Sequence, residues 1–374
     1  MSKTLCRFFI AGLLCAVATV RGADAPVKFL GAQSCASSGC HGGGAKQNQF
    51  LTWSLKDFHS QRPTATLTTA RSKQIADALE IKDPTADARC TTCHAPLHDV
   101  PENLRGENFK VSEGVSCESC HGQAENWLRS HTRHDFTHAD RTAAGMRDLE
   151  NLYVRANTCV ACHQVVSPPL LKAGHPELIF ELDGQSVAEP KHWSAEKNGS
   201  GAQAWLVGQA VALREMSWQF REDKSGILAD AVKLSDTNLV QRCRALSWVL
   251  HKAKADNSGQ PGFPEDFFST EQWADKLARN EADILWTEPM TRECLTRLAV
   301  LAPEFQNEKR PTSIHARRAE RLVLALDRLL AAENNHQADA ELNQLFKLAQ
   351  SLPDFNPKTF AAALEKFSAA VTNR

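Results

Sequence analysis

Cysteine and histidine recur as a set between residues 35 and 163. The first group reads Cys35-Ala-Ser-Ser-Gly-Cys40-His41. Cys90-Thr-Thr-Cys93-His94, Cys117-Glu-Ser-Cys120-His121 and Cys159-Val-Ala-Cys162-His163 follow. The last three have the form C-x-x-C-H, while the first holds four residues between its cysteines. Two thiols a short loop apart can form thioethers to the two vinyl groups on one edge of a porphyrin. The histidine after the second cysteine then sits under the iron. Zinc sites and disulfides also use paired cysteines, but neither needs a histidine fixed after each second cysteine. The spacing predicts four covalently attached haem c groups. Cys35, Cys40, Cys90, Cys93, Cys117, Cys120, Cys159 and Cys162 are the attachment residues, and His41, His94, His121 and His163 the proximal iron ligands.

What such a group does depends on its sixth coordination position. A second histidine closes the iron for electron transfer, and an open position admits a small molecule. His59, His98, His131, His134, His138, His175 and His192 are the further histidines of this region. His98 lies too near His94 to reach the opposite face of the same group. His131, His134 and His138 fall three and four apart, so a helix would align them, and one is expected to be axial.

The elements around these residues change character along the chain. From Ala23 to about Ser194 the sequence is rich in Gly and Pro, with short helical stretches between cassettes. It has few large apolar runs, so the porphyrins are expected to supply its core. From Ala202 onward 3.6-residue stripes dominate. Leu322, Ala325, Leu326, Leu329 and Leu330 form one, Leu342, Leu345, Phe346, Ala349 and Leu352 another, and Phe360, Ala363, Leu364, Phe367 and Val371 a third. The fold class read from this is mainly α. A loop-rich tetrahaem cytochrome c domain (residues 23–195) precedes an all-helical domain of about five to seven helices (residues 196–374), with a break at Pro303 and Pro311. Cys243 and Cys294 are read as buried small hydrophobes or as a pair, and His251, His315 and His336 as surface or capping residues.

Lys3 and Arg7 precede a stretch of 13 apolar or small residues, Phe8 to Val20, ending in small residues. Residues 1–22 therefore read as a secretory signal peptide, with cleavage after residue 25 as the alternative. Removal after Gly22 leaves 40 basic and 44 acidic residues, a net charge of −4. The expected location is periplasmic or otherwise exported, with no membrane span in the mature chain. No basic run or basic excess argues for nucleic acid.

The order of cassettes, Trp53 followed by His59, and the run Gly114-Val115-Ser116-Cys117-Glu118-Ser119-Cys120-His121-Gly122 with His131 ten residues on resemble the multihaem cytochrome c-554 and c-prime family. The resemblance spans roughly Phe29 to Trp193. Its type member is a tetrahaem carrier that accepts electrons from hydroxylamine oxidoreductase. The resemblance implies that His131 serves the group held by Cys35 and Cys40, and His59 the group held by Cys117 and Cys120. His175 and His192 are then taken for the groups of His94 and His163, in either order. It also implies that the His94 position is five-coordinate in the type carrier. The first cassette is longer here, no histidine stands shortly before Cys159, and the helical half has no counterpart in that carrier.

The leading expectation is an exported carrier passing electrons between a redox donor and a redox acceptor. One alternative is a haem enzyme with an open site near His94, acting on a nitrogen oxide, hydroxylamine or peroxide with His98, Arg129 or Arg133 as proton donor. Another is a haem-wired adaptor that docks through the helical half. Tyr153, the one tyrosine, is read as packing on the group of Cys159.

Overall fold

Short capped helices in the first half and long buried ones in the second make up a mainly helical computed structural model. It describes residues 26–44, 46–193, 201–222, 238–254, 267–307, 310–334, 336–350 and 354–372. The signal-peptide stretch, the junction at residues 195 and 196, and Leu352 lie outside them. Among the described residues there is no strand, only one isolated bridge between Phe29 and Arg105. Nor is any helix long and apolar enough to cross a membrane.

The first nine helices are α1 (Gln49–Lys56), α2 (Phe58–Thr66), α3 (Ala70–Ala78), α4 (Ala88–His94), α5 (Cys117–His121), α6 (His138–Ala143), α7 (Leu152–His163), α8 (Pro168–Lys172) and α9 (Leu182–Ala188). Small polar residues set where several of them begin, because a side-chain oxygen satisfies N–H groups that have no partner in the first turn. Asp57 accepts from the His59 N–H, Asp87 from Arg89, and Asn151 from both Tyr153 and Val154. The three regular cassettes all form the last turn of a helix (α4, α5 and α7), with the histidine as its final residue. Helical spacing therefore puts both thiols of a pair on one face. The stretched first cassette is not helical. A 3-10 turn, Ala32–Cys35, leads into it, and the His41 N–H returns to the Cys35 carbonyl at 3.1 Å. The four intervening residues are the loop that this closure requires.

The second half comprises α10 (Gly201–Glu222), α11 (Asn238–Lys254), α12 (Phe267–Asp283), α13 (Glu288–Ala299), α14 (Ala302–Phe305), α15 (Thr312–Ala332), α16 (Asp339–Ala349) and α17 (Pro357–Thr372). The eight described helices slightly exceed the expected number, the added one being the single turn α14, which carries Pro303 in its first turn. Helix α10 is buried along nearly its whole length and packs against α7, α9, α11, α12 and α15. The stripe from Leu322 to Leu330 is fully inside, as are Phe360, Leu364 and Phe367. Each such side chain is worth about 1.5–3 kcal/mol of burial.

The apolar core cluster begins at Leu152 and includes Ala156 and Val160 of α7 together with Phe180 and Leu182. Helix α7, which ends in the fourth cassette, is thus bolted to the helical half, while none of the described residues before it belongs to that cluster. Gly208 permits the close approach: a Cβ there would lie 2.6 Å from the Leu182 Cβ.

The expectation for two histidines of this half is corrected. His251 and His315 are buried, not superficial. The His251 ring stacks on Trp273 at 3.9 Å and its Nδ1 meets the Ser247 carbonyl at 2.8 Å, while His315 Nε2 meets the Asn307 carbonyl at 3.1 Å. Each polar ring is admitted to the core by a backbone acceptor. Cys243 and Cys294 are both buried and unpaired, so they serve as small hydrophobes. His336 is exposed, as expected.

Candidate functional site

The four cassettes converge in the first half although 128 positions separate the first thiol from the last histidine. Cys35 of the first cassette and Cys117 of the third are in hydrogen-bonding contact, which lowers the pKa of Cys35 and raises that of Cys117. Cys93 of the second and Cys162 of the fourth make the same kind of contact. Burial pushes the Cys120 thiol up to about 12, with the neighbouring Cys159 adding to the shift. Cassette neighbours therefore run first, third, fourth, second. A cavity of about 540 Å³ opens between the first, third and fourth, walled by Phe50, Trp53, Trp127 and Leu128. His41, His59, His121, His131 and His192 all reach it.

The histidines meet in pairs. The His41 and His131 rings have centroids 6.1 Å apart with planes 16° from parallel, and those of His59 and His163 lie 5.9 Å apart at 80°. Two imidazoles sharing one ion through nitrogens at about 2 Å from it have ring centres about 6 Å apart. His121 lies near His192 and His94 near His175, close enough for the neighbouring ring to oppose protonation of His121 and of His94. Burial is the larger cause in both cases, and it pushes His121 down to about 4. A neutral imidazole is the form that binds a metal.

The outward ring nitrogens complete the test of fit. His41 Nδ1 contacts the Gln49 Oε1 at 3.0 Å and His94 Nδ1 the Pro63 carbonyl at 2.9 Å. His131 Nδ1 reaches the Leu128 carbonyl at 2.6 Å, His175 Nδ1 the Pro176 carbonyl at 2.8 Å, and His192 Nδ1 the Pro190 carbonyl at 3.4 Å. His59 Nδ1 meets the Asp57 Oδ1 at 3.0 Å. His163 Nδ1 is 3.2 Å from the Gln185 amide nitrogen, and turning that amide over gives its otherwise unpartnered buried oxygen the same role. Metal-bound histidines hold their second nitrogen in this way, which fixes the tautomer and leaves Nε2 free to coordinate. The residues present fit haem iron.

Two placements differ from the sequence reading. The resemblance put His59 opposite His121, whereas the fold sets it against His163. His192 takes the place beside His121. The helix expected to align His131, His134 and His138 does not form. Ser130–Thr132 is a 3-10 turn, and a new helix starts at His138 behind the capping pair Thr137 and Asp140. Arg133 pairs with Asp135 and His138 with Asp148, so these residues do not gather round an ion. His98 pairs with the exposed Asp99. Tyr153 donates its hydroxyl to Asp275 at 2.6 Å and receives Arg214 at 3.1 Å, tying α7 to α12 and α10.

Several residues that hold the site were given no positioning role in the sequence reading. Glu118, buried inside the third cassette, accepts the N–H groups of Leu30 at 2.9 Å, Gly31 at 2.7 Å and Ala124 at 2.8 Å. It thereby anchors the approach to the first cassette. Gly114 has φ +71°, and a Cβ there would lie 2.5 Å from the Ser60 carbonyl and 2.9 Å from that of His59. The Val115 N–H donates to that His59 carbonyl at 3.0 Å, and the Trp53 indole donates to the Val115 carbonyl at 3.0 Å. Asp57, Gln49 and Gln185 hold ring nitrogens; only Asp57 left a signal in the sequence, as a helix cap before His59.

Residues 34–122 match the family model described as cytochrome c554 and c-prime. That stretch contains the first three cassettes, Trp53 and His59, and it bears out the resemblance there. The fourth cassette, His131, His175, His192 and the helical half lie beyond it. No curated protein and no solved structure matches the chain. The match supports a c-type cytochrome with covalently held haem that takes part in electron transfer.

Proposed function

We propose that the chain is an exported tetrahaem cytochrome c that relays electrons between a redox donor and a redox acceptor. The observation that carries this reading is the pairing of histidines from distant segments, with His41 facing His131 and His163 facing His59 at the separation one shared ion requires. In this reading the eight cassette cysteines hold the porphyrins. His41 and His131, His94 and His175, His121 and His192, and His163 and His59 hold the irons. Bound there, haem supplies a reversible one-electron change, and groups following the cassette order first, third, fourth, second form a row for electrons.

The chain's own residues do the rest. Gln49, Pro63, Leu128 and Pro176 orient the imidazoles, and burial keeps His94, His121 and His163 neutral. Helix α7 fastens the fourth cassette to the described helices α10 and α12, which give the relay a packed base. Export is supported by the charged and then apolar stretch at residues 1–22.

The test is a pyridine haemochrome count with a reductive titration of the purified protein. Four haems taking up four electrons, with no turnover of hydroxylamine, nitrite or peroxide, is the expected result. Fewer haems, or catalytic turnover, would replace this reading.

A further inference from the structure

Of the eight histidines assigned to the irons above, seven have a described Nδ1 contact; six of these face a neutral amide or carbonyl and one faces a carboxylate. That one is His59, held by Asp57. The Asp57 side chain is only 4% exposed and is fixed from two directions. Its backbone N–H closes α1 onto the Thr52 and Trp53 carbonyls, both at 3.2 Å, and its Oδ1 accepts the His59 N–H at 2.9 Å as well as Nδ1 at 3.0 Å. Glu189 stands beside the pair, with ligand atoms of all three residues within 4.8 Å of one another. Because Oδ1 is already committed to both nitrogens of His59, this cluster is an outer shell of the His59 and His163 site.

We propose that Asp57 is a positioning residue that gives the His59 and His163 site the lowest reduction potential of the four. The inference rests on the tetrahaem reading above. A carboxylate on Nδ1 polarises the N–H bond and makes Nε2 a stronger donor. A stronger donor favours the oxidised iron, and outer-shell hydrogen bonding and burial are recognised levers on haem potential. The effect is large where water is excluded, because a buried charge is poorly screened. The Nδ1 proton stays on His59 in both oxidation states, so no group needs to titrate. The fourth cassette would then hold electrons least readily and pass them on to its neighbours.

Asp57→Asn tests this, since asparagine caps a helix as well as aspartate and can still accept from Nδ1, but carries no charge. Wild type, Asp57→Asn and Glu189→Gln are each titrated potentiometrically, with low-temperature EPR of the oxidised forms. The expected result is four haems in Asp57→Asn, its lowest midpoint moved positive, the other three nearly in place, and an altered g-anisotropy in one low-spin signal. Glu189→Gln, which removes a nearby charge but no hydrogen bond to the ring, should move that midpoint less. An unmoved lowest midpoint, a shift in a different one, or an equal shift in Glu189→Gln would overturn the proposal. The wild-type haem count tests the underlying reading separately: four haems with unmoved midpoints would remove the role of Asp57 and leave the relay standing.

Discussion

His41 and His131 face each other with ring centroids 6.1 Å apart and planes 16° from parallel. Trp127 lies edge-on to His131, and the Leu128 carbonyl holds its Nδ1. His131→Ala should therefore open the first cassette's iron without loosening its thioethers. The expected outcome is an unchanged haem count and one of the four irons converted to a high-spin, cyanide-binding form, read by EPR and optical titration. A fully low-spin variant would separate the two residues functionally.

Gly114→Ala probes the contact that sets His59. The backbone there is left-handed at φ +71°, and the added methyl would meet the Ser60 and His59 carbonyls. Strain of this kind costs about 1–3 kcal/mol. A lowered thermal midpoint should come with partial loss of the low-spin signal from the fourth cassette.

Glu118→Gln tests the anchor under the first cassette. The carboxylate takes three backbone N–H groups, and an amide offers one acceptor oxygen and, in place of the other, an NH2 with two unwanted donors. The expected loss is about 3 kcal/mol in denaturant unfolding, since buried donors left without a charged acceptor are costly. The first cassette should also load haem less completely, measured by mass spectrometry of peptides containing Cys35 and Cys40.

Which parts of this arrangement the sequence revealed follows from the range of the interactions. The cassettes were readable because attachment and proximal ligation lie within a few consecutive residues. The stripes Leu322 to Leu330 and Phe360 to Val371 were readable because helical period is local. The partner of His59 was not, because it is chosen by how α2 meets α7, a contact across more than 100 positions. His251 and His315 looked superficial by residue type. Their burial depends on the Ser247 and Asn307 carbonyls being placed to receive them. Gln49 and Gln185 carry no local pattern at all.

Asp275→Asn tests how firmly α7 is tied to the helical half. Burial raises the Asp275 carboxyl, but hydrogen bonds from Arg279, Tyr153 and Arg214 outweigh it and hold the group at about 2, below its ordinary 3.8. A depressed carboxylate stabilises the fold above its unfolded value, and that contribution is lost as pH falls through the folded value. The wild type should thus lose its advantage over Asp275→Asn between about pH 3.8 and 2. At neutral pH the variant should be less stable by about 1 kcal/mol. Paired thermal melts across that range give the check; parallel curves would mean the ion pair contributes nothing.

Low-temperature EPR of the oxidised, haem-loaded protein, with a haemochrome count on the same sample, tests the paired-histidine relay most directly. Four haems per chain, all low-spin and unresponsive to cyanide or nitric oxide, is the expected result. A high-spin, ligand-binding quarter of the iron, or a count below four, would contradict it.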